Sequence, residues 1–350
     1  MKKKFLFSIA LFLSMGFNTF AQTLVTQVKP AGSKTWGYVN LKGELIIPAQ
    51  YAKCYKFSRE GFAPIYDTEK KQYYFINLKG ETLNTEVQGF KLIDGFGLDI
   101  NGFQDGLVPV RVGEKWGYLN TSGKLAIPAV YDKVSEFNSD RAVVEKLGKH
   151  IVIDTKGVEM PVEIADLVDV KNFSEQFAPY KVLDKTFGFI GVDGKVAIKA
   201  QFQSVGYFSN GLAWAKSADG MLGYINTKGE WVIKPQFTGG KEFSSNGFAR
   251  IKQGAEWAYV NKTGVVTTIK ISEKYEDFFD GLAAGKKGEK FGFYNAKGEW
   301  AIEPMFDGVR DFKNGYAAAK QGTQWGIVDK TGKWVIEPKF DGIKDMEFVK

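Results

Sequence analysis

The sequence predicts an all-β fold, a tandem array of about nine small antiparallel units, each a meander of three short strands. Three observations carry this. The phrase "WGIVDKTGKWVIEPKF" at Trp325 returns as "WGYVNLKGELIIPAQY" at Trp36, "WGYLNTSGKLAIPAVY" at Trp116, "LGYINTKGEWVIKPQF" at Leu222 and "FGFYNAKGEWAIEPMF" at Phe291. Aromatic and branched residues stand two apart within it, the period of a strand. An Asn or Asp followed three positions later by Gly (Asn40 to Gly43, Asn120 to Gly123, Asp329 to Gly332) supplies the chemistry of a tight turn between antiparallel strands.

The opening, "MKKKFLFSIALFLSMGFNTFAQ", has three lysines, a short apolar run and small residues at Thr19 and Ala21, the pattern of a signal peptide over 1–21 cut before Gln22. No lipobox cysteine follows, and no later run is long and apolar enough to cross a bilayer, so no membrane insertion of the mature chain is expected. The repeat domain is expected over 22–350, starting with the strand "TLVTQV". Aligned on the aromatic slot, units begin at Trp36, Tyr73, Trp116, His150, Phe187, Leu222, Trp257, Phe291 and Trp325, in steps of about 34 to 43 residues. Each unit offers an apolar strand ("GLAWAKS", "GFARIKQ"), the aromatic-Gly strand, the turn, and a third strand such as "WVIKP" or "LIIPA". Units then join through apolar residues three apart, as in Tyr131-Val134-Phe137 and Phe306-Val309-Phe312. That spacing is read as a compact turn or 3₁₀-like coil pinning its aromatics under the sheet. Cys54 falls in the same slot as Val134 and Val205, which makes it a small buried apolar residue. The stretch 73–160 reads as more irregular, with Tyr73-Tyr74 and His150-Ile151 in place of Trp-Gly and a longer segment from Glu81 to Gly102; the register is most regular from 187.

The "WGY[IV]N..G" core, the following "[VI]I.P.[FY]" and the "F..GLA" return resemble the WG-repeat family of exported bacterial proteins. The resemblance covers nearly all of the mature chain. It implies a secreted or surface repeat protein of binding type, periplasmic or beyond, and brings no catalytic motif.

Three-stranded units in tandem can stack as an open, superhelical solenoid or close as a β-propeller. Propeller blades usually have four strands in 40–45 residues and rings of four to eight. Shorter and more numerous units favour the open array, with the closed ring as the alternative.

Composition narrows the chemistry. Removing the leader takes three of the 47 Lys and Arg and none of the 40 Asp and Glu, leaving a mild positive excess spread along the chain, which is no nucleic-acid footprint. A single Cys excludes an internal disulfide framework, and one His with one Cys excludes a His/Cys zinc site or Cys–His dyad. His150 sits on the aromatic register as a packed variant. The recurring glycines fit turns, not phosphate loops, and no calcium-loop pattern occurs, so neither a cofactor nor a metal is expected. Glu303 and Glu337 share one repeat slot with Lys234, the mark of a solvated face. Trp231, Trp300 and Trp334 open the third strand of three units and are candidate binding residues, as a ladder for sugars or partner side chains; the plainer reading puts them in the inter-unit core. The expected function is a non-enzymatic scaffold for a protein or envelope glycan. The rival is a polysaccharide hydrolase using carboxylates among Glu86, Asp94, Asp99 and Asp105.

Overall fold

A computed structural model of the chain describes residues 23–94 and 100–349. The expected signal peptide lies outside these. Among the described residues there is no helix, and all nine units expected from the repeat are present, seven as small antiparallel sheets of three or four strands and the first and last joined in one sheet of eight. Unit 5 shows the plan: an inner strand Leu167–Val170, a second Phe177–Val182, a third Phe187–Gly191 and an outer one Val196–Phe202, hydrogen-bonded in that order.

The inner strand is what the sequence reading missed. The joining segment is not a 3₁₀ coil. In most units its first residues form a two-residue strand on the next unit, as Lys133–Val134 does on Val144 and Glu145, so most units have four strands and not three. Extended backbone here lets the segment satisfy its own N–H and C=O groups on a neighbour before it enters the core. The spacing of three then places one residue of each segment fully inside: Phe57, Phe103 and Phe137 through to Phe312 and Met346, each no more than 3% exposed.

The same plan closes the chain on itself. Unit 1 consists of Thr23–Pro30, Trp36–Asn40 and Leu45–Tyr51, and it lacks an inner strand of its own. Gly342 and Ile343, at the end of the last strand Trp334–Ile343, take that place, pairing with Lys29 and Val28. Glu347–Val349 continues along Thr23–Val25. Thr26 Oγ1 donates to the Lys344 carbonyl at 2.8 Å and Asp341 accepts from the Gly32 N–H at 2.8 Å. The units therefore form a closed propeller, and the open array is set aside. Short units close because most borrow an inner strand from the preceding linker, and a chain built this way leaves its two ends complementary.

Units pack through two recurring contacts. In most units an aromatic at the centre of the third strand meets the buried ring of the next inner segment, edge-on in Tyr38 on Phe57, Tyr118 on Phe137, Tyr224 on Phe243 and Phe293 on Phe312, with centroids 4.6–4.9 Å apart. Where that aromatic is Tyr, its hydroxyl reaches a carbonyl of the same segment, as Tyr118 does to Ser135 at 2.9 Å and Tyr224 to Lys241 at 2.9 Å. Burial raises the pKa of these phenols well above its usual range, so they stay protonated donors. The second contact sets a turn glycine on an outer-strand isoleucine of the unit before, Gly229 on Ile198 and Gly332 on Ile302, and Gly43 meets Ile336 in the same way across the closure.

The Gly of the Trp-Gly pair has a steric cause. From Trp116 to Tyr118 the third strand advances two residues while the outer strand runs four, from Tyr131 to Ile127. The bulge presses outer-strand backbone onto Gly117, where a Cβ would stand 2.5 Å from the Ile127 carbonyl oxygen. Six units carry this Gly, and all six have a full outer strand. Tyr74, Ile151 and Ala258 replace it where the outer strand shrinks to a single bridge at Thr82, to Glu159–Pro161 and to Val266–Thr267. Irregularity is thus not confined to 73–160: the unit at Trp257 shares it, while the unit at Trp116 is regular.

Candidate functional site

The inner segments converge on the middle of the ring. Before each buried Phe or Met stand two residues that are polar in most units, as in Lys171-Asn172, Glu276-Asp277, Arg310-Asp311 and Lys344-Asp345. Those of units 9, 1 and 2, among them Tyr55, Lys56, Arg310 and Lys344, share a cavity of about 150 Å³ that the core residue Ile100 of unit 3 also lines. Those of units 8, 9 and 1 share another of about 250 Å³. Asn172, Tyr207 and Glu242 line a third stretch across units 5 to 7. The centre is therefore a polar channel on an aromatic collar.

One arc of this channel is acidic. Glu242, Asp277, Asp311 and Asp345 occupy the same slot in four consecutive units. Three of them are held. Trp214 Nε1 donates to Glu242 at 3.1 Å, Arg250 lies 3.0 Å from Asp277, and Arg310 lies 3.4 Å from Asp345. Arg250 also reaches Glu276 at 3.4 Å, which Lys274 approaches at 2.5 Å. Asp311 has no hydrogen-bond or ion-pair partner among the described residues. Solvent reaches it, yet the ring displaces bulk water around it. That desolvation first, then the charges of Glu276, Asp345 and Asp277, pushes its carboxyl up to about 6. Desolvation also raises Asp277, against the opposing pull of Arg250.

A carboxyl whose folded pKa lies above its unfolded one favours the fold while protonated and loses that contribution as pH rises through about 6. Asp311→Asn is therefore expected to melt higher than the parent above pH 6.5 and at the same temperature near pH 4. Melting curves of both proteins across this range check it; a constant difference at all pH values would contradict it.

The residues singled out from sequence are not brought together. Trp231 packs edge-on against Phe202 and Trp334 against Phe306, each on the preceding unit at 5.5 Å, and Trp300 lies against Tyr294 of its own unit. All three are half-buried, and no contact joins them into a ladder among the described residues. Glu86 accepts the Leu125 N–H at 2.9 Å, Asp94 is 3.4 Å from the Tyr73 hydroxyl, and Asp105 accepts the Asp140 N–H at 2.9 Å. No hydrogen bond joins any two of them, and Asp99 lies outside the described residues. His150 sits 3.8 Å from Asp169 in a groove between units 4 and 5. The Cys54 thiol is half-buried beside the Gln27 amide, and burial pushes it up to about 11. No group of three or more His, Cys, Asp or Glu among the described residues is placed to hold a metal, and no helix there is long and apolar enough to cross a membrane.

Sequence reasoning passed over the channel positions themselves. The signal was present: two polar residues of changing type between a constant apolar residue and a constant Phe, as in Val134-Ser135-Glu136-Phe137 and Val309-Arg310-Asp311-Phe312.

The profile of the WG containing repeat family matches residues 36–70, 116–149, 187–219, 223–257, 291–322 and 325–347, over half of the chain. The chain belongs to the WG containing repeat family. Every match begins at, or one residue past, the slot residue (Trp, Phe or, at 222, Leu) of a unit whose third strand carries the sterically required Gly, so that Gly marks the units with a full, bulged outer strand. No curated protein matches the chain in sequence. Among solved structures, a eukaryotic initiation factor is similar with a TM-score of 0.60 at 10% identity, over 93% of this chain and 98% of that one. That likeness shows the fold alone. AztD from Citrobacter koseri superposes with a TM-score of 0.41 at 10% identity, over 93% of this chain and 98% of that one. PorZ, a surface component of the type-IX secretion system of Porphyromonas gingivalis, gives 0.32 at 12% identity, over 91% of this chain and 51% of that one.

Proposed function

We propose that this WG-repeat ring is a non-enzymatic scaffold that acts outside the cytoplasm, in the periplasm, at the cell surface or in the medium, and that it recognises a protein or envelope glycan at its central channel. One observation carries the reading. The inner slot before each buried ring holds Lys56, Glu136, Asn172, Tyr207 and Asp311 in different units, while the ring that follows it is fixed in the core in every one of them. Positions that the fold leaves free, and that the topology gathers in one place, are where a repeat protein distinguishes its partner. The leader-like opening supports export. The rival hydrolase has no comparable support, because Glu86 and Asp105 are engaged separately with backbone N–H groups.

The test is site-specific photo-crosslinking in the producing cell, followed by mass spectrometry. A crosslinker at Asn172 or Tyr207 is expected to capture one recurrent partner, whereas one at the exposed outer-strand residue Lys234 captures none. Equal capture from both places, or capture from the outer strand alone, would contradict the assignment.

A further inference from the structure

The slot before the buried ring carries Glu242, Asp277, Asp311 and Asp345 in units 7, 8, 9 and 1, and the series then breaks, because unit 2 places Lys56 there. Asp345 and Lys56 line the same cavity of about 150 Å³ beside the closure, yet no ion pair joins them. Five charged side chains stand on its wall. Asp345 is engaged by Arg310 at 3.4 Å, and Glu347 by Lys313 at 2.7 Å. Lys56 and Lys344 are left over, both half-buried and with no carboxylate within ion-pair distance among the described residues. The main chain fixes where the second of these begins: the Lys344 N–H donates to the Gln27 carbonyl at 3.0 Å, and its own carbonyl accepts from Thr26. The rest of the wall is uncharged, since burial holds the Cys54 thiol and the Tyr55 phenol protonated.

The charge of the wall selects the ligand. Three cations (Lys56, Arg310, Lys344) stand against two carboxylates (Asp345, Glu347) that are both engaged, so the cavity presents unused N–H donors and a surplus of positive charge. A small oxyanion matches that set. Its oxygens accept from two ammonium groups at once, in bonds about twice as strong as those between neutral groups. A cavity of about 150 Å³ holds a group about the size of benzene, enough for one carboxylate or phosphate while the remainder of a ligand stays in the channel. We propose that this cavity seats one oxyanion, a carboxylate or phosphate group, between the ammonium groups of Lys56 and Lys344, with the Arg310 guanidinium beside it. The proposal rests on the reading of the channel as the recognition surface and gives its ligand a charge and an orientation. The acidic arc of units 7 to 9 turns an anion away, and the closure accepts it.

The test titrates the full ring at low salt with inorganic phosphate, D-glucuronate and N-acetylalanine, followed by calorimetry, with D-glucose and N-acetylalaninamide as neutral counterparts. At least one anion is expected to bind saturably, and the neutral compounds are not. Whichever anion binds tightest tells whether the natural source is free phosphate, an acidic sugar or a chain terminus. Lys56→Gln and Lys344→Gln should each weaken binding about tenfold. Lys344→Arg, which keeps the charge, should retain it, and Lys234→Gln on the outer strand should leave it as it was. Neither Gln variant should lower the melting temperature of the ligand-free ring, because neither lysine has an ion pair to lose. Three results would overturn the proposal: no anion bound up to about 50 mM, neutral compounds binding as well as the anions, or affinity unaltered in both Gln variants. Failure here leaves the crosslinking from Tyr207 standing, whereas anion binding without that crosslink removes the wider channel as the recognition surface.

Discussion

Ending the chain after Asp341 is expected to abolish cooperative folding of the whole ring, not merely to loosen its first unit. The missing residues supply the inner strand of unit 1 and the edge along Thr23–Val25. They also include Ile343, Met346 and Val349, which are 3%, 1% and 0% exposed. Emptying each such site costs about 2–5 kcal/mol, and together they approach the total stability of an ordinary domain, about 5–15 kcal/mol. The loss does not stay local. Without Gly342 and Ile343, Val28 and Lys29 lose their ladder partners, and the contact of Gly43 on Ile336 loses its register. In an open array, removing a terminal piece subtracts one neighbour term and leaves the rest standing. Thermal and urea unfolding distinguish the two: the ring predicts no folded baseline, or a melting temperature lower by roughly 10 °C or more. A nearly unchanged transition would speak for independent units.

Gly117→Ala is expected to destabilise by about 3 kcal/mol or more, while Ala258→Gly costs about 1 kcal/mol or less. The same two residue types are exchanged at equivalent positions, and the outer strand decides the difference. At Gly117 the new methyl would lie 2.5 Å from the Ile127 carbonyl oxygen and 2.7 Å from the Ala129 nitrogen, backbone atoms that cannot swing aside. Ala258 faces no such strand, since its outer strand is only Val266–Thr267 and pairs no earlier than Tyr259. The backbone at Gly117 is not in the left-handed region, so steric contact alone carries the penalty. Equilibrium denaturation of both variants tests the pair. Equal costs would mean that the bulge has no part in selecting the glycine.

These two substitutions also mark how far the sequence could be read. The Asx–Gly turns, the strand alternation and the number of units were legible because each recurs with its neighbours. Asn120 Oδ1 does accept the N–H groups of Ser122 and Lys124, and Gly123 does take a positive φ of 80°. Ring closure was not legible, because the pairing rests on the last residues of a long strand and on three residues near the C-terminus, a stretch whose sequence resembles the linkers between the other units. Only the pairing of Ile343 with Val28 reveals that the linker after the last unit is also a strand of the first. The replacements of Trp-Gly at Tyr73-Tyr74 and His150-Ile151 could be seen, but their cause, a missing bulge, lies in the backbone of another strand. The channel was hidden for a different reason. Its residues carry no motif, and the slot before each buried ring changes type from unit to unit.

The central claim is that the two chain ends meet in one sheet, and a disulfide across that seam tests it most directly. Leu24 and Phe348 are register partners on adjacent antiparallel strands, a separation that a disulfide spans. In a Cys54→Ala background, Leu24→Cys with Phe348→Cys should oxidise within the monomer. Mass spectrometry would then find one peptide joining the first strand to the last, and the melting temperature should rise. A protein that remains folded while the two thiols stay free, or that links only between separate chains, would show that the ends do not meet.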